Sequence, residues 1–282
     1  MGIATSRYSV NGRGLYLASS GAGPPLLMLP SVMATHANWS ILRPHLETSM
    51  NLIMPDPLGS GRSDKPDKPD EYTPQAQADL MLGLLDAMGA GEAHVIGSAF
   101  GGATALAMVG RARERIRSAA VIEGIFADNQ LPLWAARMRD LMGDMLTGRL
   151  AFGSMKKRAM AEGIARATMR DAWETLSKDE QRAIADAYFD LEADRKGWLG
   201  QLRGAGRDVT PLLAGVKTPI LYLRGELSTA GSFLDRSVKF LETLPNARVV
   251  TVEEGAHDLH IQQPKRVAEL ALAFWREIGV QV

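Results

Sequence analysis

The chain has 282 residues, 46% hydrophobic and 23% charged, which suits one large domain or one domain carrying an insertion. Basic and acidic residues balance at 32 each, so the composition argues against nucleic acid as a partner and favours a small neutral or apolar ligand. Cysteine is absent, which excludes disulfides, thiolate metal sites and cysteine nucleophiles. Met1 to Tyr16 carry no apolar core of signal-peptide length, and no apolar run reaches the roughly 18 residues of a membrane span. A cytoplasmic protein that does not engage a membrane is the resulting expectation.

Strand-like and helical segments alternate from the start, the pattern of a largely parallel sheet with helices on its faces. Residues 7–10 and 15–18 read as a hairpin around Asn11-Gly12, a pair suited to a tight primed turn. Short apolar runs at 26–29 and 52–54 read as buried strands, the second stopping at Pro55-Asp56-Pro57. Residues 75–88 have apolar positions at helical spacing and end at Gly89. A strand at 94–96, a helix at 101–110 and a strand at 118–122 follow, then strands at 219–223 and 248–252. The last segment, 264–278, is expected to be an amphipathic helix opened by Pro264, with Val267, Leu270, Leu272 and Phe274 on its buried side. The charged 65–70 run reads as a solvated loop.

Between about Asn129 and Gly204 only helical patterns appear, at 134–146, 157–169 and 178–199. This is expected to be a helical cap (129–204) inserted into a core formed by 1–128 and 205–282. The insertion holds Trp134, Met138, Met142, Met145, Met155, Met160, Met169, Trp173 and Trp198. Most of these should pack the cap against itself. A few, with Trp134, Met138 and Trp173 foremost, are candidates for an adaptable apolar pocket.

His94 through Gly102 spell strand, sharp turn and helix. A residue on such a turn is pushed out at the sheet edge beside the helix N-terminus, where backbone N–H groups can stabilise an oxyanion. In a Gly-x-Ser-x-Gly frame running from Gly97 to Gly101 the nucleophile falls at position 99, which is alanine. Ser98 is one residue off and should point away from the mouth.

From about residue 7 to its end the chain resembles the α/β-hydrolase superfamily. The likeness rests on Gly23-Pro24-Pro25-Leu26-Leu27, on the loop from Asp56-Pro57-Leu58-Gly59 to Asp64, on the elbow, and on Gly255-Ala256-His257-Asp258-Leu259-His260. The resemblance implies an α/β fold with a mostly parallel eight-stranded sheet and a helical cap inserted after the strand that ends at Ile122. It makes His257 the general base and leaves His260 structural; His36, His45 and His94 match no role, although His36 could border the pocket. Ser228 stands where most of the superfamily has its triad aspartate, after Gly225. The acid must therefore lie elsewhere. Glu123, ending an apolar strand, is favoured over Glu226, a placement similar to that of zearalenone-lactone hydrolases and many haloalkane dehalogenases. The implied oxyanion donors are the N–H groups of Val32 and Phe100. Pro30-Ser31 replaces the usual His-Gly pair ahead of the first donor, as in the zearalenone-lactone hydrolases. Ser31, Met33 and Leu259 join the candidate substrate contacts.

Three readings of Ala99 stand side by side. In the first it is an engineered replacement for the serine of an otherwise complete ester or lactone hydrolase. In the second it is an engineered replacement for the nucleophilic aspartate of an epoxide hydrolase or haloalkane dehalogenase, although Phe100 stands where those usually carry tryptophan. Or the chain has no nucleophile by nature and is a receptor, or a lyase or oxygenase built on His257. The first is preferred, with a bulky apolar lactone as substrate. No metal or organic cofactor is implied, because the five histidines lack a ligand spacing and no phosphate-binding glycine loop appears. Oligomeric state is not legible, and a homodimer is compatible with the chain.

Overall fold

In the computed structural model the described residues are 2–127, 158–159, 161–163, 165–166, 173–174, 176–188, 195–204, 207–228 and 231–282. The first hairpin joins β1 (Ala4–Val10) to β2 (Arg13–Ser20), with Val10 directly opposite Arg13. Asn11 and Gly12 both have positive φ, 50° and 75°. That is the backbone of a two-residue primed turn, whose twist matches the strands it joins.

Next come β3 (Pro25–Leu29), β4 (Asn51–Pro55), α1 (Pro74–Ala87), β5 (Ala93–Ser98), α2 (Phe100–Arg111) and β6 (Ile116–Ile122). Helices α3 (Lys178–Tyr188) and α4 (Arg195–Gly204) precede β7 (Ile220–Gly225), α5 (Gly231–Leu241) and β8 (Ala247–Val252). The chain closes with the short α6 (Leu259–Gln262) and α7 (Pro264–Glu277). The strands form one eight-stranded sheet in the order β1-β2-β4-β3-β5-β6-β7-β8, antiparallel only where β2 pairs with β1 and β4. This is the mostly parallel α/β architecture expected from the sequence.

The central strands are apolar on both faces because helices cover both. Val95, Ala119, Val121, Ile220 and Tyr222 face a cluster with Leu84, Leu106 and Val109 of α1 and α2. Their alternate neighbours Ile96, Ala120, Ile122, Leu221 and Leu223 face Trp39, Phe274 and Trp275. Period-two alternation thus divides one strand between two cores, as a sandwiched parallel sheet requires.

Helix α1 starts where its sequence says it should. Thr73 accepts a hydrogen bond from the Ala76 N–H at 3.2 Å, and Pro74 occupies the first turn. It stops at Gly89, which takes φ 69° while the Ala90 N–H reaches back to the Leu85 carbonyl.

Two expectations need correction. The buried stripe of α7 is Val267, Ala268, Ala271, Phe274 and Trp275; Leu270 and Leu272 flank it and are only half-buried. Alanine carries little hydropathy signal, so the larger leucines drew the stripe to themselves. The 65–70 run is not wholly solvated either. Pro66 is buried, the Lys65 ammonium donates to the Gly61 carbonyl at 2.7 Å, and residues 69–72 form a 3-10 turn around buried Tyr72. Among the described residues no helix is long and apolar enough to cross a membrane.

Candidate active site

The elbow is built by close backbone approach. Strand β5 ends at Ser98, and Ala99 reverses the chain at φ 47° and ψ −110° before α2 begins at Phe100. Such a backbone is sparsely populated by residues with a Cβ and carries strain on the order of 1–3 kcal/mol. The surroundings enforce it. The Ala99 N–H donates to the Ile122 carbonyl of β6 at 2.9 Å. A Cβ on Gly97 would lie 2.6 Å from the Gly102 nitrogen, and one on Gly101 2.5 Å from the Pro30 carbonyl oxygen. Only glycine allows α2 to seat this tightly on β3 and β5. Ser98 is fully buried.

One strand over, Glu123 follows β6 with φ 52° and is fully buried. Its carboxylate accepts the Gly225 N–H at 2.6 Å through Oε1 and the Ser228 hydroxyl through Oε2. The same Oε2 lies 3.0 Å from His257 Nδ1. His257 sits in the loop between β8 and α6, 29% exposed at its side chain. That loop packs onto the end of β7 because Gly225 has no side chain; a Cβ there would lie 2.5 Å from the Gly255 carbonyl oxygen. Glu226, the alternative acid, is engaged elsewhere and accepts the Glu254 N–H at 3.0 Å.

Burial opposes a charged His257, but the hydrogen bond to Glu123 and the charges of Asp258 and Glu123 carry its pKa above the ordinary range. Burial pushes the neighbouring Asp258 carboxyl up, against the pull of the His257 charge and a hydrogen bond from Tyr188. His260 behaves differently. It is fully buried, bonds Asn38 Oδ1 through Nε2 at 3.0 Å, and burial lowers its pKa to about 3. His94 is likewise a core residue, paired to Ser118 Oγ at 2.7 Å and lowered to about 4 by burial. His36 pairs with buried Asp56, its Nδ1 lying 2.7 Å from Oδ1.

On the other side of the elbow, β3 runs into Pro30, Ser31, Val32 and Met33, the last at φ 63°. Val32 is half-buried, and its N–H donates to no backbone carbonyl among the described residues. The Phe100 N–H, in the first turn of α2, has no intrahelical partner either. Leu29 of β3 pairs with Gly97 of β5, so the two segments leave the sheet at the same end.

Of the expected substrate contacts, Ser31 is half-buried and Met33 is 7% exposed. Trp173 packs with Ile184, Ala187, Tyr188 and Ile261, and Leu259 is fully buried against Gly255. Trp134 and Met138 lie outside the described residues. Three polar residues were not singled out for a role. Ser228 is the hydroxyl donor to Glu123. Asn38 and Gln201 are buried amides bonded to the Ser31 and Met33 N–H groups. Among the described residues no cluster of three or more histidine, aspartate or glutamate side chains could hold a metal ion.

The family model described as alpha/beta hydrolase fold matches residues 24–264. The chain belongs to the α/β hydrolase fold family. It is 28% identical over 279 residues to a putative carbamate hydrolase of Azorhizobium caulinodans, covering 94% of this chain and 96% of that protein. A stronger but shorter match, 41% over 105 residues, is to a 2-hydroxymuconate semialdehyde hydrolase of Pseudomonas sp. strain CF600 and spans 36% of each chain. Among solved structures, the enol-lactonase of Burkholderia xenovorans LB400 superposes with a TM-score of 0.80 at 19% identity, over 96% of this chain and 100% of that one. This last likeness is one of fold.

Proposed function

We propose that this α/β-hydrolase chain is a serine-type ester or lactone hydrolase held without its nucleophile, Ala99 standing where the parent enzyme has serine. The observation that carries the reading is the fully buried Glu123 carboxylate 3.0 Å from His257, beside an elbow that keeps φ 47° although alanine has no chemistry to offer there. In the parent, His257 oriented by Glu123 takes the serine proton as the oxygen attacks the carbonyl. The Val32 and Phe100 N–H groups hold the oxyanion. His257 then gives that proton to the leaving alcohol, and water activated by the same ring releases the acid.

The domain reading is part of this proposal: a core of 1–128 and 205–282 under a helical cap of 129–204. A neutral chain and a cap segment rich in Met and Trp favour a bulky apolar substrate, and the Glu123 placement favours a zearalenone-like lactone within that class. The partner is thus a small molecule, and the compartment the cytoplasm. A second reading, with aspartate at position 99 as in haloalkane dehalogenases, draws on the same Glu123 placement.

The test is Ala99→Ser, assayed on aryl esters and macrocyclic lactones beside the unchanged chain. Serine should raise turnover by about 1,000-fold or more, and Glu123→Ala or His257→Ala in that background should abolish the gain. Turnover of haloalkanes by Ala99→Asp, with the serine form inert, would select the second reading.

A further inference from the structure

Gln201 is 1% exposed and spends its whole amide on two loops. Its Oε1 accepts the Met33 N–H at 2.6 Å, and its Nε2 donates to the Leu58 carbonyl and to Ser60 Oγ, each at 2.8 Å. Two residues back from Met33, the Ser31 N–H meets Asn38 Oδ1 at 3.5 Å, and the Asn38 amide donates to the Ala187 carbonyl of α3 at 2.8 Å. The N–H groups either side of Val32 are thus taken by side-chain amides, while the Val32 N–H between them has no partner among the described residues. Met33 adopts φ 63°, a conformation that needs outside support in a residue with a Cβ.

We infer that Gln201 is a positioning residue for catalysis: it fixes the Met33 N–H so that the neighbouring Val32 N–H stays aimed at the oxyanion. It acts from α4, outside the strands and loops that supply Ala99, Glu123 and His257. Asn38 completes the bracket from the other side. The inference rests on the hydrolase reading for its chemistry, and on the hydrogen bonds alone for the loop.

The experiment uses Gln201→Met, which keeps the shape and removes the amide. In the Ala99→Ser background kcat should fall about 10- to 100-fold with KM within about twofold, because a misplaced donor is felt in the transition state. In the unchanged Ala99 chain the same substitution should weaken an anionic aryl phosphonate about tenfold relative to the neutral ester, and quicken exchange of the Met33 amide about tenfold. Equal losses for phosphonate and ester, or a rise in KM alone, would reduce Gln201 to a structural residue. Unchanged Met33 exchange would overturn the inference outright. An inert Ala99→Ser form would sink the hydrolase reading, leaving exchange to decide whether Gln201 holds the loop. If Gln201→Met does not fold, Gln201→Glu keeps the acceptor for Met33 and must retain its protection; loss of that protection overturns the inference.

Discussion

Glu123 and His257 form a pair whose strength is set by what else holds the carboxylate. With Gly225 on one oxygen and Ser228 on the other, Glu123 has little freedom to turn away from the ring. Ser228→Ala should leave the carboxylate less fixed and its Oε2 free to bond the His257 ring more strongly. In the Ala99→Ser background we expect kcat to drop about tenfold, the order of one hydrogen bond to a charged group. Because His257 must be neutral to accept a proton and its pKa is raised, kcat/KM should climb with pH through a midpoint above the ordinary histidine value of about 6.5. Ser228→Ala should move that midpoint further up, and Glu123→Gln should bring it down. A pH–rate profile of the three proteins checks all of this; coincident limbs would remove Ser228 and Glu123 from the argument. His257 was legible because its loop motif is local, and Glu123 because an acid ending an apolar strand is conspicuous. Ser228 was legible only as the absence of an aspartate. Gln201 was not legible at all, since it meets Met33 across 168 residues of sequence and no local pattern marks a partner that distant.

The elements that carry the site are strands whose ends are fixed by glycine. Gly97 and Gly101 let α2 lie directly on the backbone of β5 and of the end of β3, and Gly102 lets it seat on the Val121 side chain of β6. Gly101→Ala would bring a methyl into the carbonyls of Leu29 and Pro30, so it should destabilise by at least about 1–3 kcal/mol, measured by denaturant unfolding. An unchanged midpoint would mean that the elbow relaxes far more readily than its contacts imply. Alternation and turn chemistry made these strands readable, and their observed bounds lie within three residues of the expected ones. Helix α5 was not anticipated. In α7 the buried stripe was read from its leucines, while Ala268 and Ala271 actually face the core. Small apolar residues fill tight interfaces without raising the hydropathy that periodicity detects.

For the molecule as a whole, three histidines pull stability in opposite directions with pH. His94 and His260 are held neutral by burial, with pKa values lowered to about 4 and about 3. The unfolded chain binds protons there that the native state refuses, so their contribution is complete above about 6.5 and is lost as pH falls towards those values, by up to about 1.4 kcal/mol per pH unit for each group. His257 runs the other way. Its raised pKa stabilises the fold below about 6.5, and that contribution disappears as pH rises through the folded value. Thermal midpoints should therefore drop steeply between pH 6 and 4, and His260→Gln, which keeps a polar partner for Asn38, should flatten that descent. A slope unaltered by His260→Gln would assign the acid sensitivity to other groups. The loop motif already separates His257 from His260 in the sequence, whereas the burial that makes His94 acid-sensitive depends on how the sheet packs and has no local signal.

The positive φ at Ala99 has a thermodynamic corollary. Glycine would adopt that backbone without penalty, gaining relief on the order of 1–3 kcal/mol against a cost of about 0.4–1 kcal/mol from the greater entropy of the unfolded chain. Ala99→Gly should thus make the molecule more stable, a shift that denaturant unfolding would read. A Cβ at position 99 is therefore carried at the expense of stability, which is what the proposed serine parent would ask of that hinge.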